Sequence, residues 1–227
     1  MTDTLPFDRP GDLPLDDGAV LWSDRLLPGD PRPLIVLLHG RGSHERDLFS
    51  LVPALPGDAV YASVRAPLPH QGGAPGDSWG WFGSGLPGFP DPASAIAATA
   101  GVLHWLDRAA PESRVAVVGF SQGGALATQL LRHAPHRFEG FVNLAGFSID
   151  GGADAAQDSL LAAAARPVFW GRDPFDPVIP EDAIERTMRW LPGHAQLTLR
   201  EYPGIGHSIS RDEIDDVAEF LRRTLRL

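Results

Sequence analysis

Apolar positions along the chain fall into short runs separated by Gly, Pro and Asp clusters. Residues 34–38, L-I-V-L-L, are apolar at every position, which is what a strand buried on both faces requires. Residues 115–118, V-A-V-V, form a second such run, followed by G-F-S-Q-G-G and the helix-forming A-L-A-T-Q-L-L-R. Further strands are predicted over 19–27 at an edge, 59–64, 138–144, 167–171 and, with alternating pattern, 196–202. Helical spacing is read over 45–55 (Leu48, Phe49, Leu51, Val52, Leu55), 92–110 (Ile96, Leu103, Leu106), 181–191 and 211–226 (Ile214, Val217, Phe220, Leu221 inward). The Asp/Ala/Gly-rich stretch 148–166 predicts one short helix. Residues 65–90 form a long Gly/Pro/aromatic loop, and loops of that length are usually functional.

Strand and helix therefore alternate to the end, which implies an α/β class: a doubly wound, mostly parallel sheet with right-handed crossovers. At 227 residues one core can bury about seven-tenths of the unfolded surface. A single domain is expected over 19–227, with 1–18, acidic and Pro-rich, as a loose lead-in. No repeat or linker divides the chain, and no insertion is long enough for a large lid domain.

Charge narrows the partners. Lys and Arg number 19 against 29 Asp and Glu, a formal net charge of −10, which repels nucleic acid and anionic membrane surfaces. There is no cysteine, so disulfides, thiolate metal sites and a sulfur nucleophile are excluded. The first residues carry Asp3, Asp8, Asp12, Asp16 and Asp17 in place of a basic, apolar leader. The aliphatic run 34–38 is far too short to span a membrane. A soluble cytoplasmic protein acting on small molecules is expected, and nothing decides between monomer and homodimer.

The chemistry is expected at Gly119-Phe-Ser-Gln-Gly123. A Gly-x-Ser-x-Gly between strand and helix holds the serine on a sharp turn with its hydroxyl clear of the sheet, and flanking side chains would collide with neighbouring backbone. Ser121 is the candidate nucleophile. A serine hydroxyl needs an adjacent base, and the base needs a group that fixes its tautomer. Two histidines, His39 and His207, lie in Gly-flanked turns just beyond predicted strands. His207, between the last strand and the last helix, is the expected base, and His39 is expected to hold its loop by bonding backbone. For the carboxylate, the loop 171–180 offers Asp173 and Asp176. Asp173 precedes Pro174 and is placed to start a turn, which leaves Asp176 as the orienting group. The order Ser, Asp, His suits a triad built on an α/β-hydrolase sheet.

The oxyanion needs backbone N–H donors, expected from Gln122, after the nucleophile, and from Arg41 in the turn His39-Gly-Arg-Gly42. Trp79, Trp81 and Phe82 are substrate-pocket candidates, with packing onto the domain as the alternative. His133 and His136 have H-x-x-H spacing but no third ligand, and are read as charge at a helix C-terminus. No metal or cofactor is expected.

The blocks H-G-R-G with E-R-D-L, G-D-S-W-G-W-F, G-F-S-Q-G-G, D-P-V-I-P and G-I-G-H-S-I resemble, in this order, the phospholipase/carboxylesterase family of α/β-hydrolases. That family includes acyl-protein thioesterases and bacterial carboxylesterases. The resemblance runs over 34–227 and implies metal-independent hydrolysis of carboxylic esters or thioesters. It implies Ser121, Asp176 and His207 as triad and the Arg41 and Gln122 amides as oxyanion hole. Arg41 departs from the apolar residue common after H-G in the family, which affects substrate preference at that lip. The rival from another class, a non-catalytic binding protein on a hydrolase scaffold, would have lost a triad member, and none is missing.

Overall fold

The computed structural model describes residues 13–70, 77–83, 88–150 and 158–227. Most of the expected lead-in, parts of the aromatic loop and 151–157 lie outside the described residues. The strands in chain order are β1 (Val20–Trp22), β2 (Leu34–Leu38), β3 (Val60–Val64), β4 (Leu68–Pro69), β5 (Trp79–Gly80), β6 (Val115–Phe120), β7 (Gly140–Leu144), β8 (Pro167–Arg172) and β9 (Gln196–Glu201). The helices are α1 (Arg46–Phe49), α2 (Pro92–Ala109), α3 (Gln122–His133), α4 (Asp158–Ala164), α5 (Glu181–Trp190) and α6 (Arg211–Leu225).

Seven strands make one sheet in the order β1-β3-β2-β6-β7-β8-β9, while β4 and β5 pair separately. All neighbours in the large sheet are parallel except the edge strand β1, which runs antiparallel to β3. Its two faces explain the runs of apolar residues. Leu34, Val36 and Leu38 of β2 join one core with Val102 and Leu106 of α2 and Leu126 and Leu130 of α3. Ile35 and Leu37 face the other way, into a core with Leu48 of α1 and Ile214, Val217 and Leu221 of α6. Neither face meets water, so no position of β2 can be polar; each fully buried aliphatic side chain is worth about 1.5–3 kcal/mol.

The strand order also places the site. From β2 the chain moves to β3 on one side and then, through α2, returns to β6 on the other. Loops leaving β2 and β6 therefore diverge from neighbouring strands at their carboxyl ends, where such sheets open a crevice. The turn after β2 and the elbow after β6 meet there.

Three local expectations are revised. The helix read over 45–55 is only α1, followed by a tight turn at Val52–Ala54, because Pro53 has no N–H to continue the ladder. The loop 65–90 contains the two-residue strands β4 and β5, too short to carry a periodic signal. The lead-in is not loose throughout: Leu13 N–H bonds the Ala97 carbonyl at 3.4 Å, and Leu15 is buried in the core beside α2.

Glu213, near the start of α6, is buried with neither carboxyl oxygen hydrogen-bonded among the described residues. It fills the space left by Gly171, where a Cβ would land on its carboxyl group. Burial, with the charge of Asp216 adding to it, pushes its pKa up to about 7. The folded state thus holds this proton to higher pH than the unfolded chain, so the stabilisation is complete below the unfolded value and is lost as pH rises through about 7. Between about pH 5 and pH 8 the wild type should lose on the order of 2–3 kcal/mol that Glu213→Gln retains. Thermal denaturation at the two pH values tests this, and parallel Tm changes in the two proteins would contradict it.

Candidate active site

Ser121 sits at φ 54°, ψ −114°, a sparsely populated conformation for a side-chain-bearing residue, of the kind that costs about 1–3 kcal/mol. The surroundings hold it there. Its N–H bonds the Leu144 carbonyl at 2.8 Å, and its carbonyl accepts from Ala125 at 2.9 Å as α3 begins. A Cβ on Gly119 would strike the Gly123 carbonyl, and one on Gly123 would strike the Leu38 carbonyl. The glycines of the motif are thus fixed by strand-helix contact.

His207 Nε2 lies 2.8 Å from Ser121 Oγ, and its Nδ1 lies 2.7 Å from Asp176 Oδ2. The Asp176 side chain is only 1% exposed, and its Oδ1 accepts from the amides of Val178 at 2.8 Å and Ile179 at 3.2 Å. Burial alone would raise its pKa; the bond to His207 and those two amides outweigh it and hold the carboxyl below its ordinary value. Asp176 therefore stays a carboxylate and an acceptor, which fixes the proton of neutral His207 on Nδ1 and leaves Nε2 to accept from the serine hydroxyl. The Phe120 ring lies 5.1 Å from the imidazole, centre to centre, and limits its tilt.

Upstream, His39 is fully buried. Its Nε2 accepts from the Ala66 amide at 3.1 Å, so Nδ1 carries the proton and donates to the Gly40 carbonyl at 2.8 Å. Burial drives its pKa down to about 4, so it remains neutral and pins its own turn. Gly40 faces Ser121: a Cβ there would come 3.5 Å from the serine Cβ and 3.1 Å from the Phe120 ring, closing the space above the nucleophile. The backbone N–H groups of Arg41 and Gln122 have no acceptor among the described residues.

The aromatic segment braces this turn. Trp81 is buried at 0% exposure and donates its indole N–H to the His39 carbonyl at 2.8 Å. Of the two readings open for Trp81, pocket wall or packing onto the domain, its burial and this bond favour packing. Trp79 N–H bonds the Ser43 carbonyl at 2.9 Å and Trp79 O accepts from Gly42 at 2.7 Å, while its ring carries Arg65 at 5.1 Å. Phe82 lines a cavity together with Arg41. Among the described residues no group of three or more His, Cys, Asp or Glu is placed to hold a metal ion.

The chain that carries this arrangement has known relatives. The phospholipase/carboxylesterase family model matches residues 28–225. The chain belongs to that family. It is 29% identical to acyl-protein thioesterase 1 of Saccharomyces cerevisiae over 142 residues, which covers 61% of either chain. The chain thus spans about three-fifths of that relative's length. It is 25% identical to the protein named Putative hydrolase MhqD of Bacillus subtilis over 197 residues, covering 85% of this chain and 94% of the other. In fold it matches the Bacillus cereus carboxylesterase with TM-score 0.72 and 22% identity, over 90% of this chain and 93% of that one. No helix among the described residues is long and apolar enough to cross a membrane.

Two residues carry structural work that the sequence reading missed. The Gln122 side chain accepts from Trp81 N–H at 2.8 Å and donates to the Phe82 carbonyl at 3.1 Å, tying elbow to aromatic segment. A buried amide at the start of a helix was the available signal. Asp173 starts its turn by accepting from Phe175 N–H at 2.8 Å, yet its other oxygen accepts from Gly204 at 2.9 Å and Gly206 at 2.6 Å. It joins the loop of Asp176 to the loop of His207. Because both oxygens accept, an amide would turn an NH₂ group against a donor. Asp173→Asn should speed hydrogen exchange at Gly204 and Gly206 by about tenfold or more. Unchanged exchange at these two amides, measured by NMR, would contradict the tie.

Proposed function

We propose that the protein is a serine hydrolase that cleaves carboxylic esters of small or medium size through an acyl-enzyme. The observation that carries this reading is the unbroken chain Ser121 Oγ, His207, Asp176 at 2.8 and 2.7 Å. His207 takes the serine proton as Oγ attacks the ester carbonyl. Asp176 stabilises the imidazolium, and the Arg41 and Gln122 amides receive the tetrahedral oxyanion. His207 then protonates the leaving alcohol. Water enters, His207 takes its proton, and collapse of the second tetrahedral adduct frees the acid and returns the proton to Ser121. Loss of one oxyanion donor costs about a hundred- to a thousand-fold in rate, and loss of the nucleophile around a million-fold.

The likeness to an acyl-protein thioesterase favours a second reading, in which the same groups cleave a thioester. A thiolate leaves more readily than an alkoxide, so protonation by His207 matters less there. Comparing kcat/KM on matched ester and thioester separates the two.

Fluorophosphonate treatment followed by peptide mapping should label Ser121, and Ser121→Ala should abolish both label and hydrolysis. Label at another residue, or undiminished turnover by the variant, would overturn the assignment. With no large lid among the described residues, short-chain aryl esters should be turned over faster than long-chain triglycerides.

A further inference from the structure

A cavity of about 430 Å³ opens at Arg41 and is walled by Leu68, His70, Gly80 and Phe82. Arg41 lends its N–H to the proposed oxyanion site, so this space begins beside the reacting carbonyl. Its side chain is exposed and makes no hydrogen bond or ion pair with any described residue. Arg65, on the other side of the aromatic segment, behaves differently: it is held in bidentate fashion by Glu45 at 2.7 and 2.9 Å and lies over Trp79. Among the described residues no acidic side chain lines the cavity. His70 packs close to Gly42, whose φ of +78° lets the turn pass the ring, and an imidazole there adds an N–H donor.

On the reading that Ser121 is the nucleophile, we propose that the preferred ester carries an anionic group a few bonds from its carbonyl, received by Arg41 with His70 beside it. The planar guanidinium fork matches a carboxylate or a phosphate with two parallel bonds. In a protein of net charge −10 the general field disfavours an anion, so an unneutralised guanidinium at the mouth of the site decides whether one can enter. The side chain does this without disturbing catalysis, because only the backbone of Arg41 serves the oxyanion. Charge selection and chemistry are joined in one residue.

The test compares a neutral ester, nitrophenyl butyrate, with two esters of matched length whose acyl chains end in a carboxylate or in a phosphonate. Wild type should favour one charged ester over the neutral one by about 10- to 100-fold in kcat/KM, the size expected for charge-assisted hydrogen bonds. Whichever charged ester wins identifies the anion. Arg41→Leu should erase the preference and Arg41→Lys should keep part of it. Taking the ratio within each variant cancels any change in the oxyanion turn. Raising the salt concentration should erode the wild-type preference, a check that needs no variant. A charged-to-neutral ratio near unity in wild type, or one unchanged in Arg41→Leu, would overturn the proposal while leaving the Ser121 reading intact. If no ester were turned over and Ser121 took no label, the Ser121 reading would fail, and this inference with it.

Discussion

The contact on which the site depends is the close approach of β6, α3 and the end of β2 around Ser121. Backbone carbonyls of Leu38 and Gly123 occupy the places where side chains on Gly123 and Gly119 would stand. That approach forces the turn to be sharp, and the sharp turn forces Ser121 to φ 54°. Strain of this kind survives only where the surroundings over-determine it. Here two buried strands and a buried helix do so, since β2, all of β6 except Phe120 and all of α3 except His133 are buried. The sheet is built stiff so that one residue can be held in a conformation it would not choose.

Everything else around Ser121 arrives on loops, and each loop is tied down by a polar group spent on backbone. His39 fastens the turn after β2 from within, and Trp81 and Gln122 fasten it to the aromatic segment. Asp173 fastens the histidine loop to the aspartate loop. These groups lie one contact away from Ser121, His207 and Asp176. Without them the imidazole would have to be ordered at each turnover, and misplacement by about 1 Å can cost on the order of a hundredfold in rate.

The legibility of the sequence follows this division. Elements buried on both faces left strong patterns, so β2, β6 and α3 were readable, as were α6 from its one apolar face and the elbow, whose residue types follow from steric need. Where a proline or a brief pairing decides the backbone, as at Val52–Ala54 or between β4 and β5, apolar periodicity is silent. Roles of polar side chains were harder still. Asp173 read as a turn residue because its nearest partner is local, while its ties to Gly204 and Gly206 cross about thirty residues of chain. Trp81 was left open between pocket wall and packing because an aromatic residue in a loop looks the same whether it faces a ligand or a carbonyl group.

Arg41 illustrates why a family can hold its chemistry constant while its substrates diverge. A backbone donor is indifferent to the side chain that follows it, provided the turn is fixed by other residues, and here His39, Gly40, Gly42 and Trp81 fix it. The side chain at that position is then under no demand from the oxyanion and is free to read the substrate. Proximity to the reacting carbonyl and freedom from structural duty coincide at this position, which is where a change of specificity disturbs the fold least.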